Sequence, residues 1–289
     1  MIRALIFLAL WAASPASGQV GSVALYTEYQ NPPALAVTHA MQEEVGALLA
    51  PNGLRFAWRS LPAYDNQTWT ELAVVTFSGR CQVLLSADNS HLDNRLGWTH
   101  ISEGVVLPFA EVDCDAVRAF VLKQLFGLPA EAREKVLGRA LGRVMVHELL
   151  HVFAKTTHHS SQGVDQAAFT VKELLADRMI LEDCEKDLPI LHVSPMAAHG
   201  AIGGSPQAGR ASFLRGGCAS CHGAVGEGTR RGPVLRAAGH IVSTVMLAAK
   251  LTKSERKMCQ RAQSLKVMPP SLTEEELSDV VSFLNETGQ

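Results

Sequence analysis

Two runs in this sequence combine reactive side chains with a spacing that chemistry can use. The first is His147-Glu148-Leu149-Leu150-His151. On a helix, residues four apart lie one turn apart on one face, so both imidazoles can reach a single metal ion. Glu148, next to the first imidazole, is placed to act as general base toward water at that ion. A helix is expected here: Leu141, Val144, Met145, Leu149 and Leu150 follow its period, and no Gly or Pro interrupts residues 143–157. The second run is Cys218-Ala219-Ser220-Cys221-His222. Two thiols three apart followed by His form the attachment pattern of c-type haem. The thiols of Cys218 and Cys221 bond to the vinyl groups, and His222 takes an axial position on the iron. A redox dithiol would ask for a βαβ surround, and structural zinc for a second Cys or His pair, where only Cys259 stands nearby.

A catalytic zinc takes three protein ligands and keeps one position open. After His147 and His151, the candidates for the third are His158, His159 and Glu173. Glu173 with Asp177 four residues on is similar to the gluzincin pattern, in which a Glu on a later helix is the third ligand and the Asp supports a histidine. His91 and His100 lack a partner at ligand spacing and read as ordinary imidazoles.

The elements that must position these residues can be sketched. Strand patterning covers residues 21–29, 54–58, 71–77 and 81–86. Residues 97–106 look irregular, with Gly97 and Gly104 as breakers. Residues 105–109 read as an edge strand, because Pro108 cannot donate to a central ladder. Helices are expected over 34–49 and 115–126, and Pro129 suits the first turn of a long helix running through His151. Gly138 and Gly142 are potential interruptions of that helix. Strands first and helices to one side predict an α+β domain. Cys81 and Cys114 are expected to pair, with Cys184 and Cys259 left open.

The chain has 289 residues, 47% hydrophobic and 19% charged, with a formal net charge of -2. That composition describes globular protein and gives no reason to expect nucleic acid as a partner. Residues 1–18 have the layout of a secretory signal peptide: Arg3, an apolar run over 4–13, then Ser14-Pro15-Ala16-Ser17-Gly18. A periplasmic or secreted protein with no transmembrane anchor after signal removal follows as the expectation. Export permits a disulfide. Residues 192–207 contain no Asp, Glu, Lys or Arg and read as a linker. The expected organisation is signal peptide 1–18, metal domain 19–191, linker 192–208 and haem domain 209–289.

The run His147-Glu148-Leu149-Leu150-His151, then His159, then Gly163-Val164, resembles a group of secreted bacterial metzincin-like metallopeptidases. The strict metzincin position six residues after His151 is Thr157, so the resemblance implies a slightly longer loop with His159 as third zinc ligand. It also implies an α+β zincin-like fold, a mixed sheet with an active-site helix and an edge strand along which a peptide substrate pairs. Met196 would be a floor beneath the metal.

The segment 209–289 resembles a small class I cytochrome c domain. Phe213 and Leu214 suggest a helix before the motif, and Gly223, Gly226, Gly228 and Gly232 an open loop after it. Met268, in Lys266-Val267-Met268-Pro269-Pro270, matches the family's distal iron ligand. Met246 and Met258 sit in apolar helical patterns and read as packing. Thr273 and Glu276 would form a capping box before a helix carrying Leu277, Val280, Val281 and Leu284 on one face. The resemblance implies an all-α domain carrying one covalent haem c, with His222 and Met268 as axial ligands, that transfers single electrons. Residues 210–289 hold eleven Lys or Arg against seven Asp or Glu, an excess of four (11 − 7) suited to an acidic redox partner protein. Together these readings describe an exported monohaem cytochrome fused to a zinc-dependent metallopeptidase. The alternatives are an electron carrier whose first domain binds metal or a partner without hydrolysis, and a copper or iron site served by the haem.

Overall fold

The computed structural model describes residues 23–50, 53–62, 69, 71–83, 95–159, 163–164, 166–177, 179, 204–236, 242–265, 267 and 272–286. Residues 1–18, expected to be a signal peptide, His91, Cys184, Met196, Met268, the side chain of Cys259 and most of residues 192–208, expected to be a linker, lie outside them.

Five strands form one sheet: β1 (Val23–Tyr29), β2 (Phe56–Ser60), β3 (Leu72–Ser78), β4 (Gly97–Ser102) and β5 (Val105–Asp113), in the order β2-β1-β3-β5-β4. β1 is parallel to β2 and β3, and β3 to β5; β4 alone runs antiparallel, against β5. Alternate residues Ala73, Val75 and Phe77 of β3 are fully buried, as expected for a sheet with one face on a helical layer. That layer contains α1 (Leu35–Leu49), α2 (Cys114–Leu125) and the long α3 (Ala130–Ala154).

On this side the sheet ends at β4, and residues 105–109 are the first part of β5, which pairs with β3 from Phe109 on. Residues 97–102, expected to be irregular, are extended, and Glu103 and Gly104 close a two-residue hairpin with φ of 50° and 79°. Pro108 is tolerated in β5 because pairing with β3 starts at Phe109, while the β4 register shifts between Thr99 and Ile101 around it. Residues 81–83 do not continue as a strand. β3 stops at Ser78 because Gly79 turns at φ 72°, where a Cβ would lie 2.5 Å from the Asp115 carboxylate. Beyond that turn Cys81 forms the expected disulfide with Cys114, joining the end of β3 to the start of α2.

α3 is unbroken. Gly138 and Gly142 do not interrupt it but let α1 approach. A Cβ on Gly138 would lie 2.4 Å from the Val37 carbonyl, and one on Gly142 2.9 Å from that of Met41. One turn before His147, the fully buried Arg143 donates from Nε to Glu44 of α1 at 2.7 Å. Its Nη1 donates to the carbonyls of Glu173 and Leu174 at 3.1 and 2.8 Å, fixing α4 (Val171–Leu175) to the same helix.

The C-terminal region is helical: α5 (Pro206–Arg215), α6 (Ala219–His222), α7 (Thr244–Leu265) and α8 (Glu274–Asn285). α5 and α8 meet through glycine; a Cβ on Gly209 would lie 1.9 Å from the Asp279 carbonyl. Phe213 and Phe283 pack beside that contact with ring centroids 5.5 Å apart. Leu277, Val280, Val281 and Leu284 of α8 are buried, and Thr273 and Glu276 form the expected capping box. α7 packs against α3. Ser243 caps α7 by accepting from the Met246 N–H at 2.9 Å, and its hydroxyl bonds to Glu71 at the start of β3. Among the described residues, no helix is long and apolar enough to cross a membrane.

Candidate metal and haem sites

His147 and His151 lie on the buried face near the end of α3, 8% and 6% exposed. α3 stops at Lys155, which takes a left-handed φ of 50°, and its N–H bonds to the His151 carbonyl. The chain doubles back so that the Thr156 carbonyl accepts from His151 Nδ1 at 2.8 Å, and His159 faces the helix. Further on, Gly163 with φ 84° turns Val164 inward, and the Val164 carbonyl accepts from His147 Nδ1 at 2.9 Å.

Those two bonds decide the tautomers. A carbonyl oxygen can only accept, so each Nδ1 carries the proton and each neutral ring keeps its lone pair on Nε2. Nε2 of His151 lies 3.1 Å from Nε2 of His147 and 3.1 Å from Nε2 of His159. The ligand atoms of all three fall within 4.8 Å of one another. Lone pairs facing each other at that distance repel unless a proton or a metal ion sits among them. Two nitrogens bound tetrahedrally at zinc–nitrogen distances of about 2.0–2.1 Å stand about 3.3 Å apart, close to the observed spacing. The three-imidazole group therefore fits a metal ion of that size, with carbonyls orienting two ligands in the manner usual for metal-bound histidines.

The other candidates for third ligand point elsewhere. Glu173 completes a capping box: its carboxylate accepts from the Thr170 N–H and hydroxyl, each at 2.7 Å, and from Gln166 at 3.0 Å. The Thr170 hydroxyl and backbone N–H hold the Glu173 carboxyl below the usual carboxylate range. Asp177 lies 3.6 Å from Arg139. His158 is exposed, as is His159, but of the two only His159 joins the group with His147 and His151; the His158 N–H bonds to the Thr156 hydroxyl, and His100 is exposed on β4.

Glu148 is 5% exposed, next to His147. Thr99 of β4 donates its hydroxyl to Glu148 Oε2 at 2.7 Å. Neither Thr99 nor the carbonyls of Thr156 and Val164 could be picked from sequence: a lone Thr in an irregular-looking segment carries no signal, and any residue supplies a carbonyl.

In the second site, His222 ends the single turn α6 and is buried. Its Nδ1 donates to the Pro233 carbonyl at 2.8 Å, which leaves the lone pair of the neutral ring on Nε2, the tautomer that can bind iron. The loop returns across the imidazole at Gly232, whose added Cβ would lie 3.0 Å from ring atoms Nδ1 and Cε1. Gly228 N–H bonds to the His222 carbonyl at 2.8 Å, and Thr229 N–H to the Gly232 carbonyl at 2.9 Å. Cys218 and Cys221 are both free thiols, half-buried. Burial pushes the Cys218 thiol up to about 11. Two free thiols beside a tautomer-fixed histidine fit covalent haem. Met246 is partly buried against the core.

Residues 206–288 match the cytochrome c family. The C-terminal region is thus a cytochrome c domain, a haem-binding electron carrier, and the match begins at the first residue of α5. No curated protein and no solved structure matches the chain.

Proposed function

We propose that this chain is an exported monohaem cytochrome whose N-terminal domain is a zinc-dependent peptide hydrolase of zincin-like architecture. The observation that carries the hydrolase half is the convergence of three imidazole Nε2 atoms beside Glu148, two of them oriented by carbonyls. The mixed sheet, with an antiparallel edge strand running over the metal helix, supports the same reading.

His147, His151 and His159 would hold the zinc, which supplies Lewis acidity and a water nucleophile at neutral pH. The Val164 and Thr156 carbonyls keep the first two rings turned toward it. Glu148 accepts the proton of the attacking water and returns it to the departing amine. Burial of that carboxylate keeps bulk water from competing for it. The haem would be bound by Cys218 and Cys221, with His222 and Met268 on the iron, and it supplies a one-electron couple whose potential a Met/His pair raises. The excess of basic residues over 210–289 suits an acidic redox partner. Export through residues 1–18 would deliver both functions to the periplasm or beyond.

Metal analysis of the purified protein, a haemochrome spectrum and a peptidase assay of Glu148→Gln test the proposal. One zinc, one covalent haem and cleavage that disappears in Glu148→Gln are expected. Zinc without cleavage would leave the first domain as a metal- or partner-binding module. Copper or iron that the haem reduces would make the site a redox centre.

A further inference from the structure

β4 comes unusually close to α3 above the metal ligands, and the approach depends on Gly97. A Cβ there would lie 2.9 Å from the Glu111 carbonyl, 3.0 Å from Val144 Cγ1 and 3.2 Å from Glu148 Cγ. Two residues along the strand, and so on the same face, Thr99 donates to Glu148 Oε2 at 2.7 Å. The same hydroxyl lies 3.2 Å from the backbone carbonyl of Glu148. It carries one proton, and the shorter contact to a carboxylate oxygen, within the charge-assisted range, takes it.

We infer that Thr99 is a positioning residue for Glu148, its hydroxyl clamping the carboxylate in one orientation beside the three-histidine group. The inference rests on the hydrolase reading above and adds to it a residue outside the metal motif. One feature distinguishes this contact from a mere tie between strand and helix. It is made to the side chain whose orientation the chemistry needs. When Glu148 takes the proton of the attacking water on its other oxygen, Oε1, the Thr99 hydroxyl goes on donating to Oε2. Glu148 then keeps its orientation until it passes the proton to the leaving amine. Thr99 retains its own proton throughout, so the atoms balance without it.

The test uses the full chain loaded with haem and zinc, and a library of quenched fluorescent peptides as substrate. Thr99→Val removes the donor at nearly constant shape. It is expected to lower kcat about 10- to 100-fold, the effect of one hydrogen bond to a charged group, with KM within about twofold of wild type. Zinc content stays at one, because Thr99 touches none of the histidines' ring nitrogens in the bonds described. Thr99→Ser keeps the hydroxyl and is expected to recover kcat to within about threefold. If Thr99→Val fails to fold by circular dichroism, Thr99→Ala takes its place with the same expectations. A valine or alanine variant that folds and keeps wild-type kcat overturns the inference, and so does one that loses zinc and activity together. Wild-type protein that holds zinc but cleaves no peptide overturns the hydrolase reading, and this inference with it.

Discussion

Replacing Gly163 by Ala separates the orientation of His147, a proposed metal ligand, from the stability of the fold. Gly163 has φ 84°, and among the described residues nothing lies within 4 Å of where a Cβ would stand. The added methyl meets no steric obstacle, so the penalty is conformational: about 1–2 kcal/mol for an L-residue held in the left-handed region. The next residue, Val164, supplies the carbonyl that accepts from His147 Nδ1 at 2.9 Å. Relaxing the strain rotates that carbonyl away, and zinc binding must then restore the loop at the same expense. At 1.4 kcal/mol per factor of ten, zinc affinity falls about 5- to 30-fold, in the range typical for loss of an outer partner of a metal-bound histidine. Competition against a fluorescent zinc chelator of known affinity measures this. The control is Gly127→Ala: it has φ 83°, the same open surroundings, and a position in the turn before α3, away from the histidines. It carries the same strain and leaves zinc affinity at the wild-type value. Equal losses in the two variants, or none at Gly163, would refute the idea that the Val164 carbonyl orients His147.

Further outcomes are expected elsewhere. Gly209→Ala forces a Cβ to within 1.9 Å of the Asp279 carbonyl, so α5 and α8 separate at an expense of about 1–3 kcal/mol; the haem-to-protein ratio and the melting temperature of the variant should both fall. Glu44→Ala leaves Arg143, which has no exposed surface, without its carboxylate partner; the loss, read from a urea midpoint, is about 3 kcal/mol, the low end for a broken buried pair because Glu44 is itself 15% exposed. Glu173 titrates below the usual carboxylate range because Thr170 donates to it. Its capping contribution is therefore complete above the unfolded-state value and is lost as pH falls through the lower folded-state value. Amide exchange in α4 should accelerate over that window in wild type, and already be fast at neutral pH in Thr170→Ala.

How much of the site could be read from the sequence depends on how local the geometry is. His147 and His151 meet because any helix brings i and i+4 together, and Cys218, Cys221 and His222 are likewise held within one turn. His159 is different. It reaches the helix only because Lys155, a residue with a Cβ, takes φ 50° and reverses the chain. Nothing in Lys155-Thr156-Thr157 announces that turn. Glu173 looked like a distant ligand, although Thr170-Val171-Lys172-Glu173 also has capping-box spacing, and a local hydrogen bond engaged the carboxylate. β4 was hidden because Gly97 and Gly104 read as breakers, whereas Gly97 lets the strand approach α3 and Gly104 closes the hairpin. Gly138 and Gly142 looked like interruptions, since propensity describes a helix in isolation and not one pressed against α1. The parallel pairing of β1 with β2 and β3 is a long-range choice that no local pattern encodes.

The glycine contact between α1 and α3 has a bearing on which metals the site can accept. α3 spans 25 residues, a rod of about 37 Å at 1.5 Å per residue, and main-chain atoms of α1 grip it at Gly142, about 7.5 Å along the axis from His147. Held that firmly, the rod would not slide or roll to suit an ion of another radius, so on the proposed metal reading His147 and His151 would behave as a fixed jaw. Adjustment falls to the opposing jaw, the reversal that carries His159. On that reading, variation in residues 155–158 would retune ion preference while the rod and its two imidazoles stay where they are.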